Sequence, residues 1–589
     1  MDKSYQPQPF SFFSPLTSSL FAGNFSSDHV DKRYNVVNVL SVKGKDVNRV
    51  KDALQNTDSF SFDIQSMNSA IANHLSNDFN YIGLACGLIV FFFLWLSFGN
   101  LELAVLSFVP MAVSWLWILG IMALLGMQFN IVNVILATFI FGQGDDYTIF
   151  MTEGSMYEYA YRRKLLASYK HSIIISASIM FIGIGTLIVA RHPALHSLAE
   201  VTIAGMLSVV LMAYIFPPLL FKLLVRTSGT YRVRPISIKN LLIMAFCTMV
   251  FFSQLITVYL LGVILFGLFP FSEKRRFRSY QQRLFLFDFH HIPCVRFSVE
   301  GITSETFSPS IVISNHQSML DAALFMALSP KAILVSNKKV SSNLIIKKIF
   351  KWNGFITLND MNSIDDSLIK YYVEHGYSLV IFPEGVRNAH SSIRRFHKGA
   401  FLLAEKYQLD IQPFIIHGLN MVLPRNSIQV FPGQITVKAY QRIKNEAQLS
   451  YAELTSQTCD FYRQEYARIA RKIETAAYYS PLVLDRYRYK GEEIFRAVRK
   501  NLKNNNNYTK AVDTIDEHAV VLVKHGGYGE FALLYALVHR QTKVLVYETD
   551  ENKKALLTYC AQDLVDNLEV IDSLTIEQEG HNDLKVFSL

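Results

Sequence analysis

Two short stretches of this chain gather side chains able to move a proton and hold an anion. The first is Asn315-His316, with Asp321 five places after the histidine, in SNHQSMLDAALF directly behind the apolar SIVIS. An imidazole titrates near neutrality and can remove a proton from a hydroxyl when a carboxylate fixes its tautomer. On spacing alone such a pair is more often two solvated surface residues, so the second stretch decides the reading. In LVIFPEGVRNAHSSIRRFHKGAFLLAEK a strand-like run ends in Pro383, Glu384, Gly385 and Arg387. These offer a guanidinium and backbone donors suited to a phosphate. His390, His397 and His417 lack such company and read as structural or solvated.

Together the NHxxxxD and FPEGxR patterns resemble the glycerolipid acyltransferase family, of the lysophosphatidate acyltransferase-like kind. The block KGAFLLAEKYQLDIQPFII adds a third resemblance, and the likeness covers about residues 240–475. It implies that His316 activates a lipid hydroxyl, that Asp321 orients it, and that Asn315, Glu384, Gly385 and Arg387 contact the acceptor. The hydroxyl would attack the thioester of acyl-CoA or acyl carrier protein directly, with no acyl-enzyme and with neither metal nor cofactor. One departure bears on the acceptor. Where the family commonly has an arginine, GFITLND carries Asn359 and Asp360, which leaves lysophosphatidate less secure as acceptor than acyl transfer itself.

A second constellation lies in FIFGQGDDYTIF, where Asp145, Asp146 and Tyr147 follow Gly142 and Gly144 in an apolar run. Ionisable groups inside a span are costly and commonly face a protein interior or relay protons; at an interface they are simply solvated. With RHPALHSLAEVTIAGML and YIFPPLLFKLLV, this stretch resembles the closing part of one half of an RND-superfamily exporter of the MMPL type, over residues 40–225. The resemblance implies a proton relay of Asp146 and Tyr147, with Asp145 in place of an apolar residue. It also implies a missing exporter half as partner.

A third constellation is VLVKHGGYGEFALLYAL…KVLVYETDE, in which Gly527 and Gly529 follow a strand and Glu548 ends the next one. The spacing from Gly529 to Glu548 is near the ~20 residues between a nucleotide-binding glycine loop and a ribose-binding acid. This resembles the front of a class I methyltransferase and implies S-adenosylmethionine as ligand. Lys524, however, stands where that family usually has an acid, and a degenerate domain that only packs or docks stays open beside it.

The elements that must carry these groups are of two kinds. At 589 residues the chain holds several domains, and 51% apolar residues lean it toward a membrane. Apolar runs at about 81–98, 101–125, 128–150, 171–190 and 197–225 each approach the ~20 residues of a bilayer span. The basic loops YRRKLLASYK and Lys222 to Arg234 are predicted to be cytoplasmic by the positive-inside rule. The segment before residue 80 then lies outside, although no cleavable signal peptide is evident, so an upstream span or a separate chain is expected to carry it there. A further stretch, 239–270, is flanked by basic residues on both sides and is expected to form a re-entrant hairpin in preference to a single tilted span.

The expected fold is therefore multidomain: a helical RND-type transmembrane bundle, an α/β acyltransferase domain and a small Rossmann-like α/β segment. Its parts are an extracytoplasmic remnant (1–78), five spans (79–226), the hairpin (227–272), the acyltransferase domain (273–475) and a partial methyltransferase-like domain (480–589). The net charge of +9 gathers beside apolar runs, pointing to membrane lipid and not to nucleic acid. Five scattered cysteines give no zinc or disulfide pattern. The function expected is acylation of a lysophospholipid-like hydroxyl at the cytoplasmic face of an inner membrane, coupled to lipid export; the alternative is a transport component with a vestigial acyltransferase domain.

Overall fold

The computed structural model describes residues 25–28, 33–36, 39–43, 46–55, 64–127, 131–268, 274–337, 344–358, 366–388, 392–425, 427, 429–444, 450–504, 506–514, 520–524, 526–572 and 584–588. They fall into two compact units, residues 1–87 with 129–135, and residues 88–128 with 136–589. The first carries an antiparallel ribbon, β1 (Phe25–Asp28) with β2 (Arg33–Val36), and the helix α1 (Val47–Gln55).

The five expected apolar runs lie in helices over most of their described residues, the fourth passing at Thr186–Val189 into a 3-10 turn. The first ends α2 (Ile64–Phe98), and the others fall in α3 (Leu101–Leu125), α4 (Ile131–Tyr161), α5 (Leu165–Gly185) and α6 (Pro193–Val225). Ile118, Tyr147, Met151, Ile173 and Val209 form a buried core shared by α3 to α6. Gly144 lets α4 approach α6, since a Cβ there would stand 2.8 Å from Val209 Cγ1. After α6 comes a short hairpin, β3 (Arg226–Thr227) with β4 (Thr230–Tyr231). Helices α3, α5 and α6 are long and apolar enough to cross a membrane, and so is the next one, α7 (Ile238–Leu268).

The hairpin expected over 227–272 is instead this single unbroken helix of 31 residues. The physical reason is legible afterwards: between Ile238 and Leu268 there is no proline, and the first glycine is Gly262, so nothing turns the chain midway. One side of α7 rests on the α/β domain along much of its length. Ile243 and Cys247 join that domain's core, Gln254 Nε2 donates to Asp288 Oδ1 at 2.6 Å, and Phe266 stacks on Trp352 at 5.9 Å. Its other side exposes Leu242, Phe246, Met249, Phe252, Ile256 and Leu260. The basic helix α8 (Lys274–His291) follows.

The α/β domain is a seven-stranded sheet ordered β5-β11-β10-β6-β9-β7-β8. Its strands are β5 (Val295–Glu300), β6 (Ile311–Ser314), β7 (Ala332–Asn337), β8 (Ile356–Leu358), β9 (Ser378–Ile381), β10 (Ile411–His417) and β11 (Gly433–Ala439). Only β10 and β11 pair antiparallel. The helices are α9 (Asp321–Leu328), α10 (Leu344–Asn353), α11 (Asp366–Glu374), α12 (Gly399–Lys406), α13 (Leu419–Val422) and α14 (Tyr451–Ile473). The central strands β6 and β10 are buried throughout, which explains why they read as continuous apolar runs without alternation.

The last part begins with α15 (Ala476–Arg486), α16 (Glu492–Asn504) and α17 (Asn506–Asp513). A parallel sheet follows in the order β14-β13-β12-β15, from β12 (Val520–Lys524), β13 (Lys543–Tyr547), β14 (Leu568–Ile571) and β15 (Leu584–Ser588). Helices α18 (Glu530–Val538) and α19 (Glu551–Ala561) connect its strands. This part clamps the lower ends of the bundle. Tyr489 Oη donates to the Ile236 carbonyl at 2.6 Å, Arg163 Nη1 donates to Asn552 Oδ1 at 3.0 Å, and the buried Arg486 donates to the carbonyls of Arg232 and Val233 on one side and of Cys560, Tyr559 and Gln562 on the other.

Candidate active site

Strand β6 ends at Ser314, and the next residue extends its pairing through a side chain. Asn315 Nδ2 donates to the Ile416 carbonyl and Asn315 Oδ1 accepts from the Ile416 amide, both at 2.8 Å, joining the loop to β10. His316 therefore leaves the sheet at a fixed point, at the carboxyl end of a central strand. Its Nδ1 donates to Asp321 Oδ2 at 2.6 Å. The same oxygen accepts from the Gln317 amide at 2.7 Å and the Ser318 amide at 2.9 Å, so the first residue of α9 is pinned by three donors. Asp321 is fully buried, whereas 23% of the His316 side chain is exposed. The ring lies against Phe382, centroids 4.5 Å apart and planes 21° from parallel. With Nδ1 committed to the carboxylate, Nε2 is the nitrogen left to accept a proton.

The facing loop follows β9. Glu384 is buried, with Oε1 accepting from the His316 amide at 3.0 Å and Oε2 from the Arg394 amide at 3.2 Å. Burial raises its carboxyl above the ordinary range, and these two amides oppose the shift. Gly385 has φ +67°, and a Cβ there would come 3.1 Å from the His397 ring. The Asn388 amide donates to the His316 carbonyl at 2.8 Å, so the two motifs are tied by bonds in both directions. Arg387 is half-buried, and its carbonyl accepts from Arg425 Nη1 at 3.3 Å.

The structure thus brings His316, Asp321, Asn315, Glu384, Gly385 and Arg387 together, and it divides their tasks. Asn315 and Glu384, expected to contact the acceptor, have both side-chain polar atoms turned inward onto backbone groups; they shape the loops. A cationic surface remains: Arg387, with exposed Arg394, Arg395, His397 and Lys398 on the returning loop. Sequence reasoning passed over Arg394, Arg395 and Lys398, although IRRFHK was a visible signal. It also missed Gln317, whose Nε2 donates to Tyr466 Oη at 3.0 Å while its Oε1 accepts from the Leu419 amide at 3.1 Å. His417 is buried and bonds Glu474 Oε1 at 2.9 Å. Asn359, Asp360 and His390 lie outside the described residues.

In the bundle, Asp145 is buried with Oδ1 unpartnered among the described residues, Asp146 is exposed, and Tyr147 Oη lies 3.2 Å from Ser176 Oγ. Consecutive residues of a helix point about 100° apart, so the two carboxylates cannot share one face. The inward one is Asp145, not the Asp146 matched by resemblance.

In the last part, Gly527 (φ +62°) and Gly529 (φ +86°) make the turn after β12 as the pattern suggested. The hollow of that turn is filled from within. Glu530, fully buried, accepts from the Tyr528 amide at 2.9 Å and from Asn501 Nδ2 at 2.6 Å, and lies 2.9 Å from where a Gly527 Cβ would stand. Glu548 accepts from the amides of Thr549 and Asp550 at 2.9 and 3.0 Å.

Comparison with known proteins divides the chain in the same way. Residues 296–417 match the Acyltransferase family and residues 25–237 match the MMPL family, so an acyltransferase-type domain and an MMPL-type membrane part are joined in one polypeptide. Within the first, the chain is similar to a 1-acyl-sn-glycerol-3-phosphate acyltransferase of Cocos nucifera, 29% identical over 23% of this chain and 46% of that protein. It is also similar to one of Helicobacter pylori, 29% identical over 28% of this chain and 66% of that protein. The chain spans about half the length of the curated relatives it matches. The crystal structure of the 1-acyl-sn-glycerophosphate acyltransferase PlsC from Thermotoga maritima aligns over 39% of this chain and 96% of that one, at 20% identity and a TM-score of 0.33.

Proposed function

We propose that this chain is a membrane-bound acyltransferase that moves an acyl group from the thioester of acyl-CoA or acyl carrier protein to the hydroxyl of a lysophospholipid-like acceptor. The observation that carries the reading is the His316 Nδ1 to Asp321 Oδ2 bond of 2.6 Å, with the ring open to solvent beside a cationic loop. His316 Nε2 takes the hydroxyl proton as that oxygen attacks the thioester carbonyl, and Asp321 stabilises the imidazolium. The tetrahedral intermediate collapses with cleavage of the carbon–sulfur bond, and the leaving thiolate receives the proton from Nε2. Arg387, aided by Arg394 and Arg395, holds the acceptor's phosphate. Met319 and Val386 expose apolar side chains on the two loops that carry His316 and Arg387, in keeping with an acceptor drawn from a membrane.

The apolar outer side of α7 and the basic α8 support attachment of this domain to a bilayer surface. The basic loops of the bundle lie at the end held by the last part of the chain, through Arg163 to Asn552 and through Arg486 to the carbonyls of Arg232 and Val233, which supports a cytoplasmic site. The test is to incubate membranes holding the wild type or His316→Ala with labelled acyl-CoA, then acyl carrier protein donors, and lysophosphatidate or extracted lysolipids. Label transferred by wild type and lost in His316→Ala is the expected result; equal transfer by both removes the general-base assignment.

A second reading, lipid transport by the MMPL-type part, is favoured by the acidic pair at Asp145 and Asp146. Its test is export of a labelled lipid product by cells carrying Asp145→Asn or Asp146→Asn. Loss of export with acylation unchanged supports transport, and no change in either variant removes it.

A further inference from the structure

We infer that a cleft at the ends of α4, α5 and α6 is a binding site for the phosphate-bearing headgroup of an anionic phospholipid. The cleft is open to solvent, its empty space of about 320 Å3 including that opening, and it is bounded on one side by the β3–β4 hairpin. Its wall is apolar, from Leu166, Pro218, Phe221 and Val225, while Lys222 and Arg226 supply donors; the Ser155 hydroxyl already donates to the Met151 carbonyl at 2.7 Å. Glu158 is the acid in the lining, against these two cations. Arg226 is held ready: Nη2 donates to Tyr231 Oη, and the guanidinium lies 4.3 Å from that ring's centroid. Arg162 stands 3.3 Å from the same centroid, with Nη1 buried and unpartnered among the described residues. A helix C-terminus attracts cations, which accounts for a lysine in the last turn of α6 but not for an unfilled cleft beside it.

Position selects the ligand. Helix α6 has 33 residues, about 50 Å of helix against about 30 Å of hydrocarbon, so its final turn reaches the headgroup layer. Exposed Leu219 and Leu223 on that helix offer a track for an acyl chain. Basic pockets between spans on the cytoplasmic side take anionic headgroups, and a lysine point charge beside an arginine fork suits a phosphate. The inference stands apart from the acyl-transfer reading, since none of these residues belongs to the His316 loops.

The experiment is native mass spectrometry of the full chain in detergent, titrated with dioleoyl phosphatidylglycerol or dioleoyl phosphatidylcholine. Wild type should retain phosphatidylglycerol in preference, and Lys222→Gln with Arg226→Gln should weaken that retention about tenfold, the loss of one charge-assisted contact or more. Lys222→Gln alone, at an exposed position, should show part of the effect, with circular dichroism checking that the helices are intact. Unchanged retention by the folded variants, or equal retention of phosphatidylcholine, overturns the inference. Displacement of the lipid by inorganic phosphate at equal concentration reduces it to a site for free phosphate.

Discussion

The turn after β9 and the turn after β12 are built alike and end differently. Each follows a buried parallel strand, each uses a glycine at positive φ, and each has a buried glutamate beside that glycine accepting a backbone amide. In the acyltransferase domain the carboxylate of Glu384 lies beneath the loop, gripping the amides of His316 and Arg394 and leaving the outer surface to His316 and the arginines. In the last domain Glu530 points up into the turn and occupies it. A strand followed by a glycine turn therefore supplies a place for a ligand, and the direction of one neighbouring carboxylate decides whether the place is open. The first turn leaves its outer face open beside His316, and the second is filled by its own side chain.

The largest effect is expected where the open turn does its chemistry. Asp321→Asn can present an amide N–H to Nδ1, moving the ring proton to Nε2 and leaving no lone pair for the acceptor hydroxyl. Acyl transfer should fall about a hundredfold or more with KM little changed, in steady-state assays with labelled donor. A fall confined to KM would mean that Asp321 serves only acceptor binding. Next comes Glu384→Ala, which strands the part-buried amides of His316 and Arg394 at up to about 1–3 kcal/mol each. It should lower the unfolding midpoint and abolish activity together, whereas Glu384→Gln, keeping one acceptor oxygen, should recover part of both. Because the folded pKa of Glu384 is raised, its contribution to stability is fully present below the unfolded value of about 4.5 and is lost as pH rises through the folded pKa. Denaturation across that window should show a shallower decline in Glu384→Gln than in wild type.

What could be read in advance follows from which signals are local. The spans were legible because ~20 apolar residues announce themselves, and the strands β6, β7, β9 and β10 because buried parallel strands are short unbroken apolar runs. His316 and Asp321 were legible because the two partners lie only five residues apart. Asn315 and Glu384 belonged to the right motifs but faced inward, and no spacing rule tells whether a polar side chain looks out to a ligand or back to an amide. Likewise Asp145 and Asp146 are adjacent in sequence, and only the packing of α4 against its neighbours chooses between them. The continuous α7 shows the converse: basic flanks suggested a hairpin, while the absence of any turn residue in the middle of the run was the stronger local fact.

The smallest effect is expected at the closed turn, and it tests whether that turn is closed by construction. Glu530→Ala removes the acceptor of the Tyr528 amide and of Asn501, both held near the fully buried carboxylate, which should cost about 1–3 kcal/mol of stability. Acyl transfer per folded molecule should be unchanged, because Glu530 touches neither the His316 loop nor the cationic loop. The same variant vacates the hollow between Gly527 and Gly529, so calorimetry with S-adenosylmethionine separates the two accounts of this domain. No heat from wild type accords with a turn sealed by its own side chain. Binding by wild type would mean that Glu530 yields to a ligand, and the two glycine turns would then both be sites.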